Sequence, residues 1–500
     1  MSDNFDLQLF LTESIVRENG SQTLFQQIYE GLRQAILSYR LRAGTKLPST
    51  RLLAKDLKVS RNTAMAVYDQ LIAEGYLEGK PGSGTFVGKD LPAELLETRK
   101  TENLNKSTSS RQVAKRSQIF GKISFAFTSN PNKPRAFQTG FSAIDEFPIE
   151  IWTRMASKRL RKIPRNRLDY CETNGYPPLR EEIAKYLSAS RGVRCEASQV
   201  IVIAGSQQGL DLTARVLLDE GDEAWIEDPN YIGAKGALLG AGAKLIHVPL
   251  DAEGLCVKQG RKLSQLARLA YVTPSHQFPL GVVMSLSRRL ELLEWAHQNS
   301  AWIVEDDYDS EFRYEGKPLM ALQGLDNDHR VIYVGTFSKV LFPSLRLGYL
   351  VVPPDLVEVF TQTLAFISNH APMLEQVVLT DFIREGHFGR HIRRMRNFYA
   401  ERQKVLINAM SKDLGDYLEV EKDVAGMHLI AWLKNGLKDQ AVAQKALDYG
   451  VYTPPLSFYS THEKLRNGLL LGYTGISPTE ILTGVNRLRK MFENLSKLES

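Results

Sequence analysis

The stretch YVGTFSKVLFPSLRLGY, residues 333–349, decides how most of the chain is interpreted. Residues 331–334 form the apolar run of a short buried strand, Gly335 breaks it, and a hydroxyl-rich turn leads to Lys339, with Arg346 seven residues further on. A lysine amine beside hydroxyl and guanidinium donors is the combination that a pyridoxal phosphate site requires, for a Schiff base and for the phosphate. An ordinary solvated lysine after a strand is the alternative, since so short a motif also occurs by chance.

Length and composition indicate a multidomain protein of the soluble globular class. A chain of 500 residues is expected to form two to four domains, at roughly 150 residues each. The hydrophobic content of 43% and the charged content of 24% are ordinary for such proteins. No apolar run has the length of a membrane span and the N-terminus lacks a signal-peptide pattern, so a cytoplasmic location is expected. The cysteines Cys171, Cys195 and Cys256 are scattered singly, which argues against a disulfide framework and against a zinc site.

The net charge of +6 is unevenly distributed. Residues 1–135 hold 20 lysines and arginines against 13 acidic residues, a surplus of seven, and the remaining residues sum to minus one. This asymmetry suggests an anionic partner for the N-terminal end, although a small surplus is also typical of a solvated surface.

Residues 24–75 have the pattern of three short helices. Apolar residues recur at helical spacing from Leu24 to about Ser38, and a second helix opens near Ser49. Ser60 is the expected N-cap of a third helix, which follows the second after a tight turn. Two short helices joined in this way form the helix-turn-helix arrangement.

A β-hairpin is predicted directly after these helices. Residues 76–78 and 85–87 have strand-like patterns on either side of a glycine-rich turn at residues 79–84, so the hairpin is interpreted as a wing. Candidate contacts to the DNA backbone or minor groove are Arg51, Lys80 and the wing tip.

Polar side chains occupy the start of the third helix. Arg61, Asn62 and Thr63 lie outside its apolar pattern, and such side chains contact base edges and phosphates when a helix N-terminus enters the major groove. Residues 24–87, and above all LPSTRLLAKDLKVSRNTAMAVYDQLIAEGYLEGKPGSGTFV, resemble the GntR-type winged helix-turn-helix family. A protein-interaction module of the same fold is the alternative. The resemblance implies DNA contacts at Ser49, Arg51, Arg61, Asn62, Thr63 and Gly82.

Residues 89–122 differ in composition from both flanks. They are rich in Ser, Thr, Asn, Lys and Arg and show little apolar periodicity, which is typical of a flexible basic linker. The predicted organisation is therefore a DNA-binding domain at residues 1–88, the linker at 89–122 and a large domain at 123–500, with a small subdomain from about residue 372 to residue 500.

The large domain alternates strand-like apolar runs with helical stretches. This alternation predicts an α/β fold, with a mostly parallel sheet covered by helices on both faces and a smaller α+β region at the C-terminal end. The strand-like runs are residues 200–204, 223–226, 269–272, 301–304, 331–334 and 348–352.

Polar and aromatic residues follow several of these strands, at the edge of the sheet where open α/β folds bind ligands. The segment Gly205-Ser206-Gln207-Gln208 opens a helix, so its backbone N–H groups and the Ser206 hydroxyl suit a phosphate; a capped helix without a ligand is the alternative. Tyr231 is a candidate for stacking on an aromatic ring, or else an ordinary core or surface tyrosine.

Two further strand ends carry candidates for ring contacts. His276 or Gln277 is expected to hydrogen-bond a ring hydroxyl, although a lone histidine is more often structural. Asp306 is expected to pair with a protonated pyridine nitrogen, and Tyr308 to bond the ring hydroxyl. A metal site is a competing interpretation without regular ligand spacing; its ligands would be Glu305, Asp306, Asp307 and Asp309.

The order of these features along residues 136–495 resembles the fold type I pyridoxal-phosphate aminotransferases. The resemblance implies that Lys339 forms the internal aldimine, that Arg346 binds the phosphate, and that Asp306 binds the pyridine nitrogen. It also implies that Tyr308 bonds the ring oxygen and that Tyr170 is lent to the partner's phosphate across a dimer. The other candidate cofactor contacts are Ser206, Gln207, Tyr231, His276, Thr336 and Ser338.

A GntR-type head fused to an aminotransferase-like body resembles the MocR/GabR-type regulators. The resemblance implies pyridoxal phosphate binding, a head-to-tail homodimer and binding of double-stranded operator DNA. Two arginines that hold carboxylates in the GABA-sensing member correspond here to Gly233 and Gly475, which weakens the case for transamination and for a GABA-like effector.

The resulting hypothesis is a cytoplasmic, dimeric, pyridoxal-phosphate-dependent transcriptional regulator without a metal and without a membrane partner. Its effector is expected to be an amine, an amino acid or pyridoxal phosphate itself, acting through two arrangements of different affinity. A working aminotransferase with an appended DNA-binding domain is the alternative; physiological turnover is not expected, but residual aminotransferase chemistry is compatible with the sequence.

Overall fold

A computed structural model describes Leu11, residues 23–89, 113–122, 136–162, Pro164, residues 169–462 and residues 465–499. The chain divides into two compact units, Met1–Gln112, here called the head, and Val113–Ser500, here called the body. Most of the predicted linker, residues 90–112, lies outside the described residues, and so does the predicted start of the large domain at residue 123.

Within residues 23–89, the head has three helices and a hairpin, as predicted. Thr23, Ser49 and Ser60 cap the three helices with their side-chain oxygens, which accept backbone N–H groups of the first turn. Apolar residues from each helix, among them Leu32 and Leu71, are buried in one core. The elements are α1 (Leu24–Leu37), α2 (Thr50–Asp56), α3 (Arg61–Ala73), β1 (Leu77–Lys80) and β2 (Gly84–Val87).

The wing is a tight antiparallel hairpin. Leu77 pairs with Val87 and Lys80 pairs with Gly84, so the strands extend further into the glycine-rich stretch than the sequence predicts. Gly82 lies in the turn with φ 74°, a left-handed conformation that glycine adopts without the steric cost of a Cβ atom.

The body is built on an eight-stranded sheet, with strands β3 (Val200–Ile203), β4 (Glu223–Asp228), β5 (Lys244–Asp251), β6 (Gly254–Leu255), β7 (Leu269–Val272), β8 (Trp302–Asp307), β9 (Val331–Thr336) and β10 (Gly348–Val351). Their order across the sheet is β3-β10-β9-β8-β7-β4-β5-β6. The neighbouring pairs from β9 to β5 are parallel, whereas β10 runs antiparallel to β3 and β9, and β6 antiparallel to β5. This mostly parallel sheet confirms the predicted fold class.

Helices pack on this sheet because its central strands are apolar on both faces. Every residue of β3, β7, β9 and β10 is buried. The helices up to residue 368 are α4 (Lys115–Lys122), α5 (Ile149–Arg161), α6 (Pro177–Arg191), α7 (Ser206–Leu217), α8 (Ile232–Gly240), α9 (Val257–Leu263), α10 (Leu286–Gln298) and α11 (Val357–Ser368).

Helix α4 lies within the stretch that the sequence predicts to be a flexible linker. Its Phe120 ring contacts α8, where a Cβ atom on Gly240 would lie 3.0 Å from the ring. The helix therefore belongs to the body, because one apolar contact anchors a segment whose composition is otherwise polar.

The C-terminal part of the body is a smaller α+β region. Its three-stranded antiparallel sheet has the order β11-β12-β13, and α13 packs along α15. No helix of the described residues is long and apolar enough to cross a membrane. The elements are α12 (Met373–Arg384), α13 (His387–Leu414), β11 (Leu418–Val420), β12 (His428–Leu433), α14 (Asp439–Asp448), β13 (Gly468–Gly472) and α15 (Pro478–Glu499).

Candidate functional site

The carboxyl ends of the central strands border one cavity of about 340 Å³. Ser206 follows β3, Asp306 lies at the end of β8 and Lys339 follows β9, so three separated segments meet at the same edge of the sheet. Residues 138–141 and the C-terminal part of the body close the other side. A cavity of this volume is within the range of sites for small organic molecules.

Lys339 lies half-buried in this cavity. Its Nζ donates a hydrogen bond to the carbonyl oxygen of Gly140 at 2.7 Å. Burial lowers the pKa of Lys339, opposed by the carboxylates of Asp309 and Asp306, and the charge of Arg346 lowers it further. The lowered pKa increases the fraction of neutral amine, which is the form that attacks a carbonyl carbon.

Asp306 is buried at the end of β8 and uses only one of its carboxylate oxygens. Oδ2 accepts a hydrogen bond from the Tyr271 hydroxyl at 2.8 Å, whereas Oδ1 has no partner among the described residues. Burial raises the pKa of Asp306 to about 7, and the Tyr271 bond opposes this rise. A buried carboxylate oxygen without a donor fits a protonated ring nitrogen, so the residues present fit pyridoxal phosphate at this end.

The turn between β3 and α7 provides donors for an anion. Helix α7 begins at Ser206, and its N-cap residue Gly205 has φ 90° and no capping side chain. Nη2 of Arg346 donates to the Ala204 carbonyl at 2.9 Å, and a Cβ atom on Gly205 would lie 3.0 Å from this guanidinium. A helix N-terminus beside a guanidinium is a favourable place for a phosphate.

Of the two hydroxyl residues predicted here, Thr336 and Ser338, only Thr336 borders the cavity. Thr336 borders the cavity, and its Oγ1 accepts the backbone N–H of Ser338 at 3.2 Å. The Ser338 hydroxyl is buried without a partner among the described residues, but Ser338 does not border the cavity.

Tyr231 and Tyr308 border the cavity as aromatic walls. The Tyr231 ring packs edge-on against Phe278, with centroids 5.8 Å apart, and burial raises its pKa to about 12. The Tyr308 hydroxyl lies 3.2 Å from Nδ1 of His276. Both tyrosines therefore have fixed orientations.

His276 does not border the cavity, in contrast to the predicted ring contact. Its Nδ1 lies 3.0 Å from Asp309 and its Nε2 3.1 Å from Asp423. Burial alone would lower the pKa of His276, but these two carboxylates raise it to about 10. The imidazolium is held behind Tyr308, because the buried carboxylate of Asp309 and the partly exposed one of Asp423 bind it more strongly than a neutral hydroxyl does.

Two other predicted contacts are also placed differently. The Gln207 side chain donates to the Gly233 carbonyl at 2.9 Å and faces α8, so only the start of its helix faces the anion site. The Gln277 amide donates to the Pro229 carbonyl at 2.9 Å. Tyr170 is 83% exposed and does not border the cavity of its own chain, and its predicted contact with the partner's phosphate across a dimer stays a prediction.

The acids of the competing metal interpretation have separate partners. Glu305 accepts the backbone N–H groups of Leu322 and Gln323, and Asp307 pairs with Arg191 at 2.8 Å. Within the described ranges, no three His, Cys, Asp or Glu side chains are grouped as a metal would require.

Sequence reasoning missed several residues of the cavity. Gly140 and Tyr271 contact the two central side chains, and Met427, His428 and Tyr459 line the C-terminal wall. Tyr271 lies inside the apolar strand β7, and its hydroxyl in that strand was the only sequence feature that could have indicated a role in the site. The other residues come from segments that are distant along the chain.

The predicted DNA contacts lie on the surface of the head. Arg61 and Asn62 are exposed in the first turn of α3, and Arg51 is exposed on α2. Ser49 and Thr63 both take part in helix capping. Ser49 accepts a hydrogen bond with its side-chain Oγ, and Thr63 donates one from its backbone N–H. On the wing, Lys80 is exposed beside Phe86, and no atom lies within 4 Å of a Cβ on Gly82.

Two sequence families match the chain. The gntR family of bacterial regulatory proteins matches residues 24–87, and aminotransferase class I and II matches residues 143–470. The match to both families agrees with the winged head and the mostly parallel sheet of the body.

Similar proteins include regulators over nearly the whole chain. The probable rhizopine catabolism regulatory protein MocR of Rhizobium meliloti is 44% identical over 94% of both chains. The pyridoxine biosynthesis transcriptional regulator PdxR of Corynebacterium glutamicum is 31% identical over 89% of this chain and 91% of its own. Among solved structures, the α-aminoadipate aminotransferase LysN of Thermus thermophilus has a TM-score of 0.68 and 30% identity, covering 76% of this chain and 99% of that one. The chain therefore belongs to the MocR family of transcriptional regulators, in which a GntR-type DNA-binding domain precedes an aminotransferase class I and II domain.

Proposed function

We propose that this regulator binds pyridoxal 5'-phosphate in the body and operator DNA through the head, acts as a homodimer in the cytoplasm, and changes its DNA affinity when an effector binds. The effector is an amine, an amino acid or pyridoxal phosphate itself. One observation carries the proposal: the Lys339 amine and Oδ1 of Asp306, which has no partner among the described residues, border the same cavity in a chain with a GntR-type head.

Each end of the cavity has residues suited to one part of the cofactor. When bound, pyridoxal phosphate supplies an aldehyde that captures amines and a ring that withdraws electrons. Asp306 Oδ1 accepts the ring N–H, and Tyr308 bonds the ring hydroxyl. The start of α7, the Ser206 hydroxyl and Arg346 bind the phosphate, while Tyr231 packs on the ring face. Tyr170 contacts the partner subunit's cofactor in this proposal.

Lys339 is the residue that attaches the cofactor. Its Nζ loses a proton more readily than an exposed lysine, because burial lowers its pKa. The Gly140 carbonyl accepts one N–H of this amine and so orients it within the cavity. Lys339 is therefore both the attachment point and the group that holds or releases a proton there.

The head binds DNA through α3 and the wing. Arg61, Asn62 and Thr63 contact base edges and phosphates in the major groove, and their position at a helix N-terminus favours the approach of an anionic backbone. Ser49 and Arg51 on α2 and Lys80 and Gly82 on the wing position the head on the backbone.

A visible absorption spectrum tests the cofactor assignment. The purified protein mixed with pyridoxal phosphate is expected to develop a visible band that the free cofactor lacks, and Lys339→Ala is expected to abolish it. Lys404→Ala, which removes an exposed lysine of α13, is the matched control and retains the band. A band that survives Lys339→Ala contradicts the assignment.

A second candidate is an active aminotransferase whose head only localises it. The likeness of the body to solved aminotransferases favours it. Steady turnover of an amino donor with a keto acid, abolished by Lys339→Ala, would support this candidate over a regulator that does not turn over.

A further inference from the structure

The cavity beside Lys339 is bordered by few charged side chains. Among the described residues that border it, Lys339 and Asp306 are the only charged side chains apart from the titratable His428. The others are aromatic, aliphatic, hydroxyl or amide groups, or glycine. In the proposed function both charged groups are committed to the cofactor, so the described residues that border the cavity within one chain leave no cation for an acidic group of an effector.

An effector carboxylate would therefore be buried without a partner, which is strongly unfavourable. The packing also leaves no room for a guanidinium at one flank of the site. A Cβ atom on Gly475 would lie 2.6 Å from Cβ of Phe141, and Phe141 itself borders the cavity. The residues that border the cavity and the close packing of Gly475 on Phe141 therefore disfavour binding of an acidic ligand.

His428 provides a hydrogen-bond acceptor at the border of the cavity. It is 4% exposed at the start of β12, and its Nε2 lies 2.9 Å from the Pro279 carbonyl oxygen. Because a carbonyl only accepts, Nε2 carries the hydrogen. Burial and the neighbouring His276 charge lower the pKa of His428, so the ring is neutral and Nδ1 is an acceptor. Nδ1 has no partner among the described residues, and His428 borders the cavity.

An aromatic wall surrounds this acceptor. The Phe278 ring lies 5.4 Å from the His428 ring and 5.3 Å from the Tyr459 ring, measured between centroids. Phe458 packs edge-on against Tyr459 at 5.4 Å and borders the same space. This wall fits the apolar or aromatic body of a ligand.

We propose that the effector is a hydroxylated aromatic primary amine that carries no acidic group. Its amino group faces Lys339, its ring packs against Phe278 and Tyr459, and its hydroxyl donates to Nδ1 of His428. This inference rests on the proposed function, because it assumes that pyridoxal phosphate occupies Lys339 and Asp306.

The experiment compares three probes on the full-length protein loaded with pyridoxal phosphate. Tyramine, L-tyrosine and phenethylamine are titrated while the visible absorption and the heat of binding are recorded. Tyramine is expected to reach half-saturation at a concentration at least about tenfold below that of L-tyrosine, which differs by the carboxylate. It is also expected to bind at least about tenfold more tightly than phenethylamine, which lacks the hydroxyl.

Two variants assign these differences to residues. His428→Leu removes the acceptor and is expected to make tyramine and phenethylamine equal, whereas His297→Leu, at a largely exposed histidine, keeps the wild-type difference. Phe458→Arg places a guanidinium at the half-buried wall and is expected to shift the preference toward L-tyrosine.

Several results would overturn the inference. L-tyrosine binding as tightly as tyramine to the wild type, no response to either amine, or a tyramine preference that survives His428→Leu would each contradict it. The visible band of the protein loaded with pyridoxal phosphate distinguishes failure of the proposed function from failure of this inference alone. If that band never forms, the proposed function fails and the inference fails with it; if the band forms and the amines are not preferred, only the inference fails.

Discussion

At the scale of single residues, Asp306 shows how the site fits its proposed ligand. Tyr271 satisfies one carboxylate oxygen and leaves the other buried without a donor among the described residues. Burial raises the pKa of this carboxyl from 3.8 to about 7. Because the folded pKa lies above the unfolded one, the carboxyl stabilises the fold below about pH 4, and this contribution is lost as the pH rises through about 7.

Asp306→Asn is therefore expected to stabilise the cofactor-free protein at pH 8, where the wild type carries a buried unpaired charge. The gain is up to about 4 kcal/mol, from a pKa difference of roughly three units. At pH 3, below both pKa values, the two proteins should unfold at nearly the same temperature. Thermal unfolding of both at the two pH values measures this, with Asp413→Asn, at an exposed acid of α13, as the control without a pH-dependent gain.

Asp306→Asn is expected to gain less stability than the wild type when pyridoxal phosphate binds. Only a carboxylate pairs with a protonated ring nitrogen, so the cofactor should raise the Tm of the wild type at pH 8 more than that of Asp306→Asn. Equal increases in Tm for both proteins would contradict the assignment of Asp306 to the ring nitrogen.

The sequence predicted the residues that follow strands and missed those that do not. Ser206, Tyr231, Asp306, Tyr308 and Lys339 could be found because parallel strands bring their carboxyl ends to one edge. His276 was assigned to the ring because no local pattern reveals Asp423, which binds it from 147 residues away. His428 and Gly140 enter the cavity through packing of distant segments, which a single sequence does not encode locally.

At the scale of elements, the turn from β3 to α7 depends on Gly205. Its φ of 90° and ψ of 162° belong to a region that is essentially reserved for glycine. Gly205→Ala is expected to destabilise the body by roughly 1–3 kcal/mol and to weaken pyridoxal phosphate binding, because the new methyl group displaces the Arg346 guanidinium.

Gly236→Ala is the matched control within the same body. Gly236 lies inside α8, and a Cβ atom added there would have no atom within 4 Å, so alanine should stabilise the helix by roughly 0.5–1 kcal/mol and leave cofactor affinity unchanged. Urea unfolding and a cofactor titration measure both effects. Identical behaviour of the two variants would rule out a special role for Gly205 in this turn.

The first turn of α3 leads to a separate prediction about DNA. Arg61→Ala is expected to weaken binding to an operator fragment by roughly 1–3 kcal/mol, because an exposed arginine at this position contacts a base or a phosphate. Asp69→Ala, about two turns further along the same helix, should not weaken binding. Gel-shift titrations at one salt concentration compare them, and unchanged affinity of Arg61→Ala would exclude α3 as the recognition helix.

Element types were predictable where periodicity is strong, and strand directions were not. The helices of the head and six strands of the main sheet follow from apolar spacing. Strand β5 was missed because it is half-exposed, and the antiparallel course of β10 has no signature in an apolar run. Helix α4 was missed because its Phe120 contact with α8 is tertiary.

At the scale of the whole molecule, two compact units with different partners lie on one chain. The head holds 15 lysines and arginines against 13 acidic residues, so most of the N-terminal surplus of positive charge lies in residues 113–135 of the body, which also holds the cavity with Lys339. A regulator of this kind works only if ligand in the body changes the affinity of the head for DNA, and a coupling of about 1–3 kcal/mol is typical of such proteins.

The operator affinity of the full-length protein, with and without pyridoxal phosphate, tests this coupling most directly. An operator fragment recovered by selection from random DNA is titrated with wild type and with Lys339→Ala at the same salt concentration. Pyridoxal phosphate is expected to change the Kd of the wild type at least about fivefold and to leave that of Lys339→Ala unchanged. The same Kd for the wild type with and without the cofactor, or an equal change in both proteins, would contradict a regulator that senses through Lys339.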